Sequence, residues 1–530
     1  MRQHIDVEYL IIGAGPAGLQ LGYYLEKSHQ PYLILERGEH PGTFFETFPR
    51  HRTLISVNKV FTGYSDKEVN LKWDWNSLLS DNEDMLFKRY SKEFFPQADE
   101  YVRYLRDFAS CFNIKVQYNT TVSKIGKGES FLVQDQRGDT YSCRRLILAT
   151  GVTQPYIPAI PGIEHCENYT ECSVVPEDFT DQRVLIIGKG NSAFETANNL
   201  TATTRTIHLC SPSPTIMAWK THFVGNLRSV NDNFLDTYQL KVQNGILDAE
   251  IESITRREKD FVVKIIYTHA KGERRTVVYD RILVCTGFRF DTTLFEEQCR
   301  PELAFNNRLP AQTSEWESTN VKDLYFIGTV MQARDYKRTM SGFIHGFRYN
   351  VQALHRIFES KYERKAWPGV EIPEQPEVLA EKVISRINDS SAMFLQPGFF
   401  CDVLVTSPEG KPHYYEDVPV DYLHESALGS NGSYYAISLE YGDFSQIDPF
   451  NVDRDPNPEK AHLTPYLHPI IRRFAGSALV DEYHLLEDLE NIYEPDKYRQ
   501  GLTAYLSGTV QGVSPHEVKR RRHDESTLAS

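Results

Sequence analysis

A glycine-rich turn near the start of the chain limits the fold more than any other feature. The apolar residues 9–12 are followed by Gly-x-Gly-x-x-Gly at Gly13, Gly15 and Gly18. In such a turn the first glycine permits a tight bend, the second lets the backbone approach a pyrophosphate, and the third allows a helix to pack closely on a sheet. The pattern predicts a dinucleotide-binding unit of the Rossmann type, with helix amides facing the phosphates.

The residues after this turn strengthen the prediction. A second apolar run, residues 32–35, ends on Glu36. This is the offset at which a carboxylate accepts hydrogen bonds from the ribose of an adenine dinucleotide. Strand, helix, second strand and terminal acid occur here in the expected order, which makes the signal more specific than the glycines alone.

The same sequence pattern occurs a second time further along the chain. Residues 184–187 are apolar and lead into Gly188 and Gly190, with Ala193 in the place of the third glycine. The following strand, residues 206–210, ends without an acid. A missing carboxylate removes the repulsion of a 2′-phosphate, so the second turn is predicted to bind NADPH rather than NADH.

Two dinucleotide sites in one chain predict electron transfer. A nicotinamide would pass a hydride to a flavin, which then performs the harder chemistry. We therefore assign FAD to the first turn and the nicotinamide to the second. Lys189, Arg205 and Lys220 are candidate partners of the 2′-phosphate.

The domain organisation follows from the repeat. Each copy closes on an apolar strand that ends in Thr-Gly, at residues 150–151 and 286–287, after alternating runs that predict antiparallel meanders. A third apolar strand, residues 323–328, and a long helix near residues 342–358 would return the chain to the first domain. The predicted fold class is α/β, with two Rossmann-type domains for FAD and NAD(P), the second inserted in the first, and a smaller C-terminal α+β domain. The expected boundaries are 1–155 and 315–366 for the FAD domain, 156–314 for the inserted domain, and 367–530 for the C-terminal domain.

Composition excludes several classes of function. The formal net charge of −14 argues against nucleic-acid binding, which needs a basic surface. The basic run at residues 519–523 is expected to be a solvated tail. The eight cysteines form no Cys-x-x-Cys motif, so neither a metal site nor a thioredoxin-like dithiol is predicted. No stretch is long enough to span a membrane, and neither end carries a recognisable signal peptide or ER-retention signal, so a cytoplasmic location is expected.

Several segments resemble the flavin-containing monooxygenase superfamily. They are residues 54–59, 94–96, 101–105 and 286–288. The resemblance implies that Asn58, followed by Lys59, lies beside the flavin ring. Residues 161–169, however, hold no clean version of the linker motif of these enzymes.

A narrower resemblance covers most of the chain. Residues 48–56, 74–79, 190–197 and 342–349 are similar to the family of the ER flavoprotein associated with degradation, which contains FAD-dependent oxidoreductases. The family's role in ER protein degradation is not carried over, because both ends of the sequence differ from its pattern.

These observations lead to one main functional hypothesis and two alternatives. The first is a single-component monooxygenase that uses NAD(P)H and molecular oxygen, and acts through a C4a-(hydro)peroxyflavin on a small organic substrate. The second is a flavin reductase that passes electrons to a protein thiol or disulfide, with Cys166 and Cys172 as the nearest approach to a redox pair. The third is a flavin-stabilised interaction module, in which the C-terminal domain binds a protein partner or a second copy of the chain.

The predicted site residues fall into two groups. The catalytic candidates are Asn58, Lys59 and His345, the last because its helix follows the final FAD strand. The predicted cofactor-binding residues are Gly13, Gly15, Pro16, Ala17, Gly18, Glu36, Arg37, Phe44, Asn58, Thr150, Gly151, Gly188, Gly190, Asn191, Ser192, Lys220, Thr286 and Gly328.

Overall fold

Three large β-sheets organise the part of the chain that the structure describes. The structure is a computed structural model, and the described residues are 3–239, 243–407, 410–430, 432–444, 448, 451 and 453–513. The basic run at residues 519–523 lies outside the described residues. No helix among the described residues is long and apolar enough to cross a membrane.

The first sheet begins at the N-terminus. Its segment contains β1 (His4–Ile12), α1 (Pro16–Lys27), β2 (Tyr32–Leu35), α2 (Phe44–Thr47), α3 (Lys67–Leu71), α4 (Ala98–Cys111), β3 (Val116–Gln117), β4 (Val122–Lys127), β5 (Phe131–Asp135) and β6 (Thr140–Leu148). The strand order is β3-β2-β1-β6-β5-β4. Strand β1 is parallel to β2 and β6, and β4, β5 and β6 form the antiparallel meander that the alternating residues predicted.

Strand β1 shows why both faces of this sheet are covered. Tyr9 and Ile11 are buried in the core that also holds residues of α1 and α4. Leu10 and Ile12 point to the other face and are buried with the meander. Side chains alternate along a strand, so a run that is apolar at every position must be covered on both sides. Each such side chain contributes about 1.5–3 kcal/mol by burial.

The second sheet repeats the arrangement. Its segment contains β7 (Gln154–Pro155), β8 (Glu167–Asn168), β9 (Arg183–Ile187), α5 (Asn191–Leu200), β10 (Thr206–Ser211), α6 (Ala218–Thr221), α7 (Phe234–Gln239), β11 (Gly245–Arg256), β12 (Phe261–Tyr267), β13 (Arg274–Tyr279), β14 (Arg281–Val284) and β15 (Phe288–Arg289). The order is β13-β12-β11-β10-β9-β14-β8. Strand β9 is parallel to β10 and β14, while β11, β12 and β13 form a second antiparallel meander.

The chain then returns to the first sheet. This segment contains β16 (Leu303–Ala304), β17 (Leu309–Pro310), β18 (Leu324–Phe326) and α8 (Ile344–Glu363), and β18 pairs in parallel with β6. Phe290, Phe295 and Leu309 are already buried in the core of the first sheet. These side chains complete the core over the meander, and the boundary at residue 315 stays a prediction.

The C-terminal segment builds a third, antiparallel sheet. It contains β19 (Gly369–Glu371), α9 (Pro376–Asp389), α10 (Ser391–Leu395), β20 (Phe400–Ser407), β21 (Gly410–Pro419), α11 (Val420–Glu425), α12 (Ala427–Ser430), β22 (Ser433–Glu440), β23 (His468–Ala475), β24 (Ala478–His484) and α13 (Asp496–Leu506). The six strands are ordered β19-β21-β20-β22-β23-β24. One face packs on α9 and α13. Val403 and Phe474, from the other face, share a core with residues of α8, so this unit is seated on the first one.

Candidate active site

A cleft of about 650 Å³ extends from the first glycine turn to the second unit. This volume lies in the range of small-molecule and cofactor sites. The predicted residues that line it are Gly13, Gly15, Pro16, Ala17, Glu36, Arg37, Phe44, Thr150, Gly151, Asn191, Ser192, Gly328 and His345. Much of the predicted cofactor set therefore meets in one place, at the carboxyl ends of parallel strands.

The first glycine turn has the shape that a pyrophosphate needs. Gly13 has a φ of +106°, and a Cβ there would lie 2.8 Å from the carbonyl oxygen of Ala149. A Cβ at Gly18 would lie 2.1 Å from the carbonyl oxygen of Gly13, so Gly18 shapes the turn from behind and does not line the cleft. A Cβ at Gly15 would meet no atom within 4 Å, and no side chain caps helix α1. The first helical amides are thus left to bind an anion.

Glu36 closes the loop that follows β2. Its side chain is 6% exposed, and its carboxylate accepts hydrogen bonds from the Ala14 amide at 2.7 Å, the Gly38 amide at 2.8 Å and the Thr43 hydroxyl at 3.2 Å. A carboxylate has about four acceptor positions. Glu36 therefore retains capacity for a ribose hydroxyl while it holds the turn in shape, and the residues present fit an adenine dinucleotide.

The second glycine turn has the same geometry as the first, and the side chain of Asn191 makes additional hydrogen bonds there. Gly188 has a φ of +129°, and a Cβ at Gly190 would meet no atom within 4 Å. Gly188 and Gly190 shape the turn, whereas Asn191 and Ser192 line the cleft. The Asn191 side chain accepts from the Arg228 amide at 3.0 Å and donates to the Asn226 carbonyl at 2.8 Å. Asn191 therefore fixes the loop that borders the cleft.

The three basic side chains predicted to bind a 2′-phosphate do not line the cleft. Lys189 forms an ion pair with Asp248, and its side chain is 3% exposed. Arg205 pairs with Asp181 at 2.8 Å. Lys220 is exposed on α6 and does not line the cleft. The preference for NADPH over NADH stays a prediction.

Asn58 does not reach the cleft. It is 1% exposed, and its amide donates to the carbonyl oxygens of Ser91 at 3.0 Å and Glu93 at 3.1 Å. Lys59 is exposed and also lies outside the cleft lining. Thr286 donates its hydroxyl to the carbonyl of Tyr156 and does not line the cleft either. Asn58 joins two loops behind the wall, so its position does not support a contact with the flavin.

His345 does reach the cleft. Its ring stacks on Trp75, with centroids 4.2 Å apart and planes 22° from parallel. It is 2% exposed, and no described residue forms a hydrogen bond with either ring nitrogen. Burial, assisted by the charges of Arg348 and Arg228, lowers the pKa of His345 well below its usual range. The cleft wall therefore contains a neutral imidazole.

Three residues of the cleft wall that the sequence did not predict bear on its chemistry. Trp75, Glu195 and Arg228 all line it. Burial raises the pKa of Glu195 to about 7. Glu195 lies four residues after Asn191 on α5, a spacing that places both on one helix face and could have revealed it. Trp75 and Arg228 lie in irregular loops, for which no comparable periodic signal exists.

Thiols are not part of the cleft. No cysteine is found among the described residues that line it. Cys166 and Cys172 are both free, and burial raises the pKa of the Cys166 thiol to about 12 and also raises that of Cys172. Neither thiol is poised as a thiolate.

Two glycine turns that open into one cleft define a dinucleotide-dependent oxidoreductase. The match to known families is consistent with this class. Residues 10–328 match the pyridine nucleotide-disulphide oxidoreductase family, and the chain belongs to that family. The family supports FAD and a nicotinamide as the ligands of the two turns.

Individual relatives show how far the similarity extends. FAD-dependent oxidoreductase domain-containing protein 2 of Mus musculus is 36% identical over 509 residues, which cover 89% of this chain and 76% of the relative. The bacillithiol disulfide reductase of Staphylococcus aureus has a TM-score of 0.51 at 20% identity, over 68% of this chain and 99% of that one. A flavin-containing monooxygenase of Stenotrophomonas maltophilia has a TM-score of 0.50 at 19% identity, over 67% of this chain and 99% of that one. The two structural likenesses show the fold alone.

Proposed function

We propose that this chain is an FAD-dependent oxidoreductase that oxidises NADPH and oxygenates a small organic substrate. FAD is held along the first glycine turn with its ribose on Glu36, and NADPH is held along the second turn beside Asn191 and Ser192. When bound, the flavin supplies hydride acceptance and the activation of oxygen. The protein's own residues bind, orient and shield the reacting groups.

The continuity of the cleft carries this proposal. Gly15, at the first turn, and Ser192, at the second, line the same cavity. Hydride transfer requires its two partners to be in contact, and a shared cavity permits that. Phe48 and Phe288 also line it, with ring centroids 5.6 Å apart, and give the middle of the cavity aromatic walls. Such walls exclude water. An oxygenating flavin needs a dry site in order to avoid wasteful release of hydrogen peroxide.

A second candidate function is the reduction of a disulfide on another molecule. The description of the matched family favours it. With no cysteine among the described lining residues, the disulfide would have to come from the partner. This route needs a cleft open enough to admit a sulfur atom, whereas oxygenation needs one that can be kept dry.

Flavin kinetics separate these functions. The purified holoenzyme is mixed anaerobically with NADPH or NADH, and the reduced form is then mixed with ¹⁸O₂ and a panel of amines, sulfides and carboxylates. We expect NADPH to bleach the flavin and label to enter a substrate. Stoichiometric hydrogen peroxide without labelled product would reject oxygenation, and oxidation by a disulfide would favour the second candidate. A flavin that NADPH cannot reduce would instead indicate a purely structural cofactor.

A further inference from the structure

Arg228 is held at the junction between the two dinucleotide-binding units. Its backbone amide is fixed by Asn191 of the second unit. Its side chain crosses to the first unit, where Nη1 donates to the carbonyl of Ile55 at 3.0 Å. The guanidinium carbon lies 5.3 Å from the ring centroid of Trp75. Arg228 is therefore a positioned cation on the cleft wall.

Arg228 has no acidic partner among the described residues. The fully buried Arg348 also lacks one, but three backbone carbonyls accept hydrogen bonds from its guanidinium. Two other arginines, which are partly buried like Arg228, do have acidic partners. Arg386 pairs with Asp402 at 2.7 Å and Arg472 with Glu482 at 2.8 Å. No carboxylate among the described residues lies within 4.0 Å of the Arg228 side chain, and burial lowers its pKa. Removing a charge from water without a partner is costly. A guanidinium presents five N–H donors, and the Ile55 carbonyl engages only one of the two Nη groups.

A second observation at the same place also points to a ligand. His345 stacks on the Trp75 ring, and both of its nitrogens lack a partner among the described residues although it is 2% exposed. The charge of Arg228 helps to keep this imidazole neutral, so one nitrogen donates and the other accepts. A cation without an acidic partner and a neutral imidazole without a hydrogen-bond partner among the described residues thus both lie against the Trp75 ring.

We propose that Arg228 binds the carboxylate of the substrate, and that this substrate is a small carboxylic acid with a planar apolar body. The guanidinium fork matches a carboxylate in a bidentate manner, and His345 offers an additional hydrogen bond. The aromatic walls of Trp75, Phe48 and Phe288 accommodate a planar apolar body. This inference rests on the proposed function, because it assigns the substrate of the same cleft.

The other anion that could reach Arg228 is a phosphate of a dinucleotide. The two sources predict different losses when the arginine is changed. Loss of a carboxylate site weakens the binding of small acids and leaves cofactor content intact. Loss of a phosphate site lowers FAD content or weakens NADPH binding, and leaves small acids unaffected.

The test uses the FAD-loaded enzyme and two probe acids, benzoate and phenylacetate, with benzamide as the neutral match. Binding is followed by the flavin absorption spectrum and by calorimetry. We expect both acids to bind saturably and benzamide to bind at least tenfold more weakly. Arg228→Met should weaken the binding of the acids by a factor on the order of 10 to 100, which is the usual contribution of a hydrogen bond to a charged group. Arg228→Lys should give an intermediate loss, because a lysine keeps the charge but not the fork.

Arg205→Met is the matched control, because Arg205 is exposed and already paired with Asp181. It should leave acid binding unchanged. Equal binding of benzoate and benzamide, no binding of either acid, or acid binding that both Arg228 variants retain would overturn the proposal. A loss of FAD or NADPH binding with acid binding retained would also overturn it, in favour of a phosphate. Failure of the proposed function would be distinguishable from this. The enzyme would then bind the acids, but NADPH would not reduce its flavin.

Discussion

The imidazole of His222 stacks on the ring of Tyr441, with centroids 3.9 Å apart and planes 13° from parallel. His222 belongs to the second unit, whereas Tyr441 directly follows strand β22 of the C-terminal sheet. The next residue, Phe223, packs on Phe343 at the cleft wall, with centroids 5.8 Å apart. The C-terminal unit therefore braces the loop that leads to the cleft, which gives this unit a part in shaping the site.

Removal of the Tyr441 ring should loosen this loop. We expect Tyr441→Ala to weaken NADPH binding or slow flavin reduction about two- to tenfold, because an aromatic pair contributes about 0.5–1.5 kcal/mol beyond area burial. Anaerobic stopped-flow measurement over a range of NADPH concentrations gives both quantities. Tyr441→Phe keeps the ring and should behave as the wild type. Unchanged kinetics in the alanine variant would show that the contact does not influence the cleft.

The first glycine turn offers a pair of substitutions with opposite consequences. Gly15→Ala places a methyl group in open space at the cleft, where the pyrophosphate would lie. We expect FAD content to fall at least tenfold while the folded apoprotein survives. Gly13→Ala forces a left-handed φ and a contact of 2.8 Å with the Ala149 carbonyl, which should destabilise the fold by about 1–3 kcal/mol or more. Flavin absorbance and circular dichroism distinguish the two effects, and full FAD content in Gly15→Ala would contradict the assignment.

Glu195 predicts a specific dependence of stability on pH. Burial raises its pKa in the folded protein to about 7, from an ordinary value of 4.5, so the folded state holds an extra proton between these values. Stability should therefore fall as pH rises from about 4.5 to 7 and stay level above, by roughly 1–3 kcal/mol for this group. Glu195→Gln should remove that part of the slope in thermal unfolding from pH 5 to 8. Glu171→Gln, at an exposed position, is the control. Identical slopes for wild type and Glu195→Gln would refute the assignment.

Cys166 and Cys172, the nearest approach to a redox pair in the sequence, should be dispensable for flavin reduction. Neither Cys166 nor Cys172 lines the cleft. We expect Cys166→Ser with Cys172→Ala to retain NADPH oxidation and flavin reduction within about twofold, at a stability cost of about 1 kcal/mol from the buried Cys172. A tenfold loss of flavin reduction in the well-folded double variant would restore the dithiol hypothesis.

Local patterns in the sequence are sufficient to predict the two dinucleotide-binding units. The bend at Gly13, the open side of Gly15 and the acid at Glu36 depend on residues close together in the chain. Apolar runs such as residues 9–12 also report their own burial, because period and length identify a strand that is covered on both faces. The two meanders and the return strand β18 were found for the same reason.

The chemistry of the cleft wall was decided by the tertiary structure. Trp75, Arg228 and His345 come from two loops and a helix far apart in the sequence. The return of helix α8 to the first unit stacks His345 on Trp75, and the packing of the second unit on the first adds Arg228. Asn58 illustrates the converse. The motif predicted the segment in which it lies but not where its side chain points, and its amide donates to the Ser91 and Glu93 carbonyls. The sequence by itself determined that the chain is built for a flavin and a nicotinamide. The tertiary structure decided which charges and rings face them, since long-range contacts leave no periodic trace in the chain.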